Sequence, residues 1–338
     1  MPQSPGASTA AEDFAVDAER FRQELLAHCY RMMGSVDEAE DVVQDTYLRA
    51  WRSYGSFEGR SSLRVWLYRI ATNACLSALK HRGRRPLPSG LGAPSDDPDA
   101  PTTMAEPGFA WLQPIPDSLV GSIAEDPATV VTVREGLRLA LVASLQYLPP
   151  RQRAVLLLRE VLELPAAEIG RVLGMSTPAV KSALQRARDR IEKVAPRADQ
   201  LALPTEPKQR ALLDTYMAAF EKADSAALEQ VLTQDAALEV SPAVTWYSGL
   251  VTCIKVLRSA VGLPGEWLMV PTRANGQPAA VAYRRDAGGV HRAFGVVVLG
   301  IRGDSIDRIS VFADAAAVTA FGFPLVYGAD ECDDVGDV

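Results

Sequence analysis

The sequence predicts a multi-domain chain in which two all-α helical domains, the second a helix-turn-helix, precede an α+β domain. Three observations carry this. Apolar residues recur at helical spacing from Phe21 to Ala78 and again from Leu137 to Ile191. Between these blocks, Pro86 to Val133 is rich in proline and holds seven acids (Asp96, Asp97, Asp99, Glu106, Asp117, Glu125, Asp126) but no lysine or arginine. From Trp267 onward, strand-length apolar runs are separated by Asn275-Gly276, Gly288-Gly289 and Gly303-Asp304, which are hairpin signals.

A chain of 338 residues, at about 100 to 200 per domain, has room for two or three domains with cores of their own. Its net charge of −7 would argue against nucleic acid if it were evenly spread. It is not, so local patches matter more than the sum. Cys29, Cys75, Cys253 and Cys332 are widely separated, with no C-x-x-C and no histidine at ligand spacing. That pattern predicts reduced thiols in a cytoplasmic protein, no metal, and helix-core positions for Cys29 and Cys75. The N-terminus lacks a basic start followed by an apolar run, and no stretch approaches the roughly 18 apolar residues of a membrane span.

Residues 1–13, rich in Ser, Pro, Gly and Ala, are expected to be disordered. The first helical domain spans 14–85. Phe21, Leu25 and Cys29 open a helix that Gly34-Ser35 breaks. In the next helix Ala39, Val43, Tyr47 and Ala50 form the inner face, while Asp41, Asp45 and Leu48 form an acidic and apolar stripe outside. From Asp37 to Asp45 there are five acids and no base; from Arg60 to Arg85 there are seven bases and no acid. Leu63, Leu67, Ile70, Ala74 and Ala78 carry the helix through that basic stretch. Its basic face, with Trp66, Tyr68 and Asn73 nearby, offers cations for phosphate and rings or amides for unstacked bases.

The segment 86–133 reads as an extended, solvated linker. Within it "WLQPIPDSLV" leaves Trp111 and Leu112 exposed unless they dock, which marks an anchor point, with the C-terminal domain as a candidate receptor. The second helical domain, 134–196, resumes with Leu137, Leu141, Leu145 and Leu148, and Pro149-Pro150 ends one helix and opens another. "LPAAEIGRVLG" is a short helix, Gly174-Met175-Ser176 a turn, and Thr177 a cap for a helix starting at Pro178. There Val180, Leu184, Ala187 and Ile191 face inward. The outward set is Lys181, Ser182, Gln185, Arg186, Arg188 and Arg190, with donors near the N-terminal half for base edges and bases beyond for phosphate.

"DEAEDVVQDTYLRAW" followed by "FEGRSSLRVWLYRIATNACLSALKHRGRR" resembles the first conserved domain of extracytoplasmic-function sigma factors, promoter-recognition subunits of bacterial RNA polymerase. "LPPRQRAVLLLREVLELPAAEIGRVLGMSTPAVKSALQRARDRI" resembles their second. The resemblance implies that Asp41, Gln44, Asp45 and Leu48 dock on the coiled coil of the largest subunit of core RNA polymerase. It also implies that Arg60, Ser61, Arg64, Trp66, Asn73 and Lys80 hold the melted minus-10 strand of promoter DNA. Thr177, Lys181, Ser182, Gln185, Arg186, Arg188 and Arg190 would read the minus-35 duplex, and the acidic linker would lie in a channel built for nucleic acid.

After a second linker, 197–207, the α+β domain spans 208–325, followed by an acidic tail, 326–338. Its expected order is a helix over Lys208 to Ala223, another from Ser225 to Leu232, a strand around Ala237 to Val240, a helix from Thr252 to Val261, then a curved antiparallel sheet. "AFEKADSAALEQVLTQDAALEVSP" and "VVVLGIRGDSIDRISVFAD" are similar to SnoaL-like domains of the nuclear transport factor 2 superfamily, a cone with a pocket at its mouth. That resemblance implies a regulatory module and allows a small-molecule ligand in the pocket. His291, Asp235, Glu239 and Asp304 are the candidate acids or bases there, but none forms a recognisable pair, so no catalytic residue, cofactor or metal is expected. The competing reading is a SnoaL-type enzyme fused to a DNA-binding repressor.

Overall fold

The computed structural model describes residues 18–120 apart from 58 and 60, residues 137–194, and residues 205–327. The expected disordered N-terminus, the latter part of the first linker and nearly all of the acidic tail and second linker lie outside the described residues. The chain forms two compact units, one of residues 1–85 with 118–195, the other of residues 86–117 with 196–338. No described helix is long and apolar enough to cross a membrane.

In the first unit, α1 (Arg22–Met33), α2 (Val36–Ser53) and α3 (Leu63–Ala78) pack around Leu25, Cys29, Val43, Leu67, Ala71 and Cys75, all fully buried. Gly34, at φ 72°, ends α1 by donating its N–H to the Tyr30 carbonyl at 2.8 Å. The left-handed conformation it needs is one a side chain resists. Ser35 and Ser62 cap α2 and α3 by accepting the N–H of Glu38 and Val65, each at 3.3 Å. Contact with Cys75, together with burial, pushes the Cys29 thiol far up, which suits the expected core role of both cysteines.

The remaining helices of this unit are α4 (Leu139–Leu145), α5 (Pro150–Glu160), α6 (Ala166–Leu173) and α7 (Thr177–Val194). Pro150 begins α5, where a missing N–H costs nothing. The α6 turn α7 corner is close-packed: a Cβ on Gly170 would lie 2.5 Å from the Met175 carbonyl oxygen. The cap of α7 differs from expectation. Ser176 takes that place, its hydroxyl accepting the Ala179 N–H at 3.3 Å, and Thr177 is the first helical residue. Both are good caps; the backbone leaves the turn one residue earlier than Pro178 suggested.

In the second unit α8 (Glu206–Glu221), α9 (Ser225–Val231) and α10 (Leu250–Val261) pack on one face of a six-stranded sheet. Its strands are β1 (Leu232–Ser241), β2 (Trp246–Ser248), β3 (Trp267–Ala274), β4 (Gln277–Arg285), β5 (His291–Arg302) and β6 (Ser305–Phe312), in the order β2-β1-β6-β5-β4-β3. This is the α+β order expected of a SnoaL-like domain. Contrary to a wholly antiparallel sheet, β1 and β6 pair in parallel. Tight turns force neighbours antiparallel, whereas β1 and β6 are joined only through the rest of the sheet. A short α11 (Ala315–Ala320) packs on β5.

The segment 86–117 is not a solvated tether. It runs as a strap along this sheet, from the β2 edge to the β3–β4 turn. Ser95 donates its N–H to the Trp246 carbonyl at 2.7 Å, Val244 donates to Thr103 at 2.8 Å, and Asn275 and Ile115 exchange bonds at 2.9 and 3.0 Å. Asp117 accepts the Gly276 N–H at 2.7 Å and pairs with Arg273 at 3.2 Å. Leu112 and Ile115 are fully buried, so the apolar anchor inferred from "WLQPIPDSLV" finds its receptor here. The physical reason is mutual: edge strand and turn carry backbone groups that need partners, and the strap supplies them.

Candidate nucleic-acid interface

On α2 the inner positions Ala39, Val43 and Ala50 are buried, which turns Asp41, Gln44 and Leu48 outward as exposed side chains. Asp45 is half-buried and holds Arg49 by two bonds of 2.8 and 2.9 Å. Trp51 was not foreseen. It is 56% exposed beside Leu48 at 54%, so the face ends in a paired apolar tip. Extending the stripe by one turn, Gln44, Leu48 and Trp51 at i, i+4 and i+7, would have found it.

The basic helix α3 is less open than its composition suggests. Arg64 is held by Glu24 through bonds of 2.8 and 2.7 Å and lies over the Tyr68 ring. Both Arg82 and Arg85 close on Glu38. Trp66 does not stand as a free stacking platform: it is 6% exposed, packed at 4.9 Å against Phe57 and 6.4 Å from Tyr54. A large apolar ring beside two others gains more from burial than from facing water. Tyr68 is likewise buried, its hydroxyl 3.2 Å from Glu24. Asn73 and Lys80 remain on the outer side, with Ser61 half-buried at the entry to the helix; Arg60 lies outside the described residues. The Asn73 amide donates to the Arg69 carbonyl at 2.8 Å and to the Val172 carbonyl at 3.3 Å.

On α7, Val180, Ala183 and Ala187 are buried while Lys181, Ser182, Gln185, Arg186, Arg188 and Arg190 are exposed, with Thr177 half-buried at the start. Arg186 donates to Ser182 at 2.7 Å, Gln185 to Asp189 at 2.8 Å, and Arg188 pairs with Glu160 at 2.8 Å. Such exposed pairs exchange readily for phosphate or base edges.

In the C-terminal unit, each candidate acid or base is committed to a different partner. Asp235 binds Arg302, which lowers its carboxyl pKa, and Asp304 binds Lys208 at 2.8 Å. Glu239 is buried against Arg308, Ser310 and the strap residue Ser89. His291 contacts the Gly265 carbonyl at 3.3 Å. The side of the sheet under α8 to α10 is filled by Tyr216, Phe220, Trp267 and Met269. An open groove of about 460 Å³ lies at the start of α8, lined by Glu206, Arg210, Leu213, Pro271 and Arg273.

Comparison with known proteins agrees with this geometry. Sigma-70 region 2 matches residues 18–85, and sigma-70 region 4 matches residues 138–191. The extracytoplasmic-function RNA polymerase sigma factor SigG of Mycobacterium tuberculosis is 47% identical over 315 residues, covering 92% of this chain and 84% of its own. The probable sigma factor SigI of the same organism is 27% identical, over 88% and 92%. Among solved structures, the M. tuberculosis extracytoplasmic-function sigma factor SigJ matches with a TM-score of 0.59 at 22% identity, covering 92% of this chain and 99% of SigJ, which supports a shared fold. With an acidic helix, a basic helix, a helix-turn-helix and an α+β extension in one chain, and a relative nearly half identical along almost its whole length, the protein belongs to the extracytoplasmic-function sigma factors of bacterial RNA polymerase.

Proposed function

We propose that this alternative sigma factor divides its work among three surfaces. The outer face of α2, with Asp41, Gln44, Asp45, Leu48 and Trp51, docks on the coiled coil of the largest core polymerase subunit. Acids there meet a basic partner, and the exposed Leu48 and Trp51 supply the apolar centre such an interface needs. Arg60 and Ser61, ahead of α3 in the chain, Asn73 on its outer side and Lys80 just beyond its end hold the opened minus-10 strand. In the bound state Arg64 exchanges its partner Glu24 for phosphate. The outer face of α7 reads the minus-35 duplex: Lys181, Ser182, Gln185 and Arg186 at base edges, Thr177, Arg188 and Arg190 on phosphate.

The C-terminal domain tunes this activity and catalyses nothing itself; the separate structural partners of Asp235, Glu239, Asp304 and His291 support that reading. The place for a small-molecule input is the open groove at the start of α8, and the protein works in the cytoplasm, where polymerase and promoter are.

The observation that carries the proposal is the exposed run Asp41, Gln44, Leu48, Trp51, a mixed acidic and apolar face that no fold requirement explains. Run-off transcription with purified core polymerase tests it. The chain should confer promoter-specific initiation, and should show little promoter preference without core. Specific duplex binding by the chain alone, with no transcription when core is added, would point instead to an enzyme fused to a repressor.

A further inference from the structure

The groove at the start of α8 brings two guanidiniums to apolar walls. It lies where α8 packs on β3 and β4, and its volume of about 460 Å³ falls within the range of roughly 300 to 1,000 Å³ of small-molecule sites. Leu213, 3% exposed, belongs both to its wall and to the core of the sheet, and Pro271 and Pro278 line it from β3 and β4. Gln209, 5% exposed, adds a buried amide. Arg210 and Arg273 supply positive charge, against the single carboxylate of Glu206.

Both arginines have bonding capacity to spare. Arg210 is exposed and lies 3.6 Å from Asp214, an ion pair open to solvent that holds it weakly. Arg273 donates from Nε to Asp117 at 3.2 Å and from Nη2 to the Gly276 carbonyl at 3.1 Å, which leaves Nη1 without a hydrogen bond among the described residues. A carboxylate matches the planar fork of a guanidinium with two parallel hydrogen bonds. Two guanidiniums against one carboxylate favour a monoanion over a more highly charged phosphate ester, and the leucine and proline walls favour an apolar body behind it.

We propose that this groove binds a small organic monocarboxylate with an apolar body, its carboxylate on Arg210 and Arg273 and its body against Leu213, Pro271 and Pro278. The proposal rests on the reading of the groove as the place of a small-molecule input, and it gives that input a route into the chain. Arg273 also holds the end of the strap, because Asp117 pairs with it while accepting the Gly276 N–H at 2.7 Å. A second carboxylate on the same guanidinium shares its charge and repels Asp117. Ligand binding therefore loosens the strap where Ile115 and Asp117 meet the β3–β4 turn.

The test titrates the full chain with octanoate by isothermal titration calorimetry, beside octanamide, which has the body without the charge, and inorganic phosphate, which has the charge without the body. Octanoate should bind with a Kd of about 1 mM or tighter, and about tenfold or more tightly than either control. Arg210→Gln, a change at an exposed position, should weaken octanoate about tenfold, and Arg273→Gln should do at least the same. Hydrogen exchange read by mass spectrometry should show the amides of Ile115 and Gly276 exchanging several-fold faster with octanoate bound, and as fast without it in Arg273→Gln. Octanamide or phosphate binding as tightly as octanoate, or octanoate binding undiminished in Arg210→Gln, overturns the assignment. Absence of octanoate binding overturns it too and leaves the groove to another class of input. Exchange unchanged by bound octanoate overturns the route through Asp117. Binding with the expected arginine dependence but unaltered run-off transcription removes the groove as the input and leaves the carboxylate site standing.

Discussion

Glu239 on β1 and Arg308 on its parallel neighbour β6 meet at 3.1 Å, and the other oxygen of Glu239 accepts the N–H of Ser89, 150 residues earlier in the chain, at 3.1 Å. Glu239 is 1% exposed, and Ser310 donates to it as well, at 2.8 Å. One carboxylate therefore ties the strap to the sheet. Removing one partner of a buried pair leaves the other charge uncompensated. Glu239→Ala should destabilise the C-terminal unit by about 3 kcal/mol, discounted toward the low end because Arg308 is partly exposed. Thermal unfolding should show the loss, and limited proteolysis should begin to cut between Leu87 and Asp117. Glu239→Gln, which keeps an acceptor for Ser89, should lose less.

Charge reversal on the α2 face separates binding from folding. Asp41→Lys with Asp45→Lys should abolish association with core polymerase while the melting temperature stays within a few degrees, because neither carboxylate supports the core. Trp51→Ala should weaken association by about 2 kcal/mol, a typical loss for an exposed aromatic anchor. Surface plasmon resonance against immobilised core reads both; undiminished binding of the double reversal would remove α2 from the interface.

For the helix-turn-helix, Arg186→Ala should cost about 1 to 3 kcal/mol at one minus-35 position and little at others, if its guanidinium reaches a base edge. Transcription from a panel of single-base promoter variants measures this. A uniform loss on every variant, with a shallower salt dependence, would mark a phosphate contact instead.

His28 supplies a pH signature. It is fully buried, its Nε2 paired with Thr72 at 3.0 Å, and burial, followed by the nearby Arg31 charge, lowers its pKa from 6.5 to about 3. The folded state therefore excludes a proton that the unfolded chain takes up below pH 6.5. The associated stability is complete above that pH and is lost as pH falls toward 3. At about 1.4 kcal/mol per pH unit, roughly 2 kcal/mol should go between pH 6.5 and 5. Urea unfolding across this range should show the slope, and His28→Gln should flatten it.

Much of this was legible in the chain. Periodicity alone placed α2, α3 and the helix-turn-helix, and the Asn275-Gly276, Gly288-Gly289 and Gly303-Asp304 turns separated β3 to β6, because backbone hydrogen bonds and one-sided burial impose repeats visible over a few residues. The outward faces of α2 and α7 followed from the same repeats, since burial of Val43 or Val180 turns the residues two positions away, such as Asp41 and Ser182, to the opposite side.

What the linear chain by itself determined, then, is which segments are helical, which are strands, and which charges lie on which side of each. Only the tertiary structure decided which charges are already spent and which segments are already docked. Arg64, Arg82 and Arg85 look like free cations until Glu24 and Glu38 arrive from other helices. Trp66 looks like a stacking platform until Phe57 folds against it. The acidic strap looks like a tether until Glu239 and Asn275 take hold of it. Each of those partners lies far away in sequence or beyond a turn, and long-range pairing leaves no local period to read.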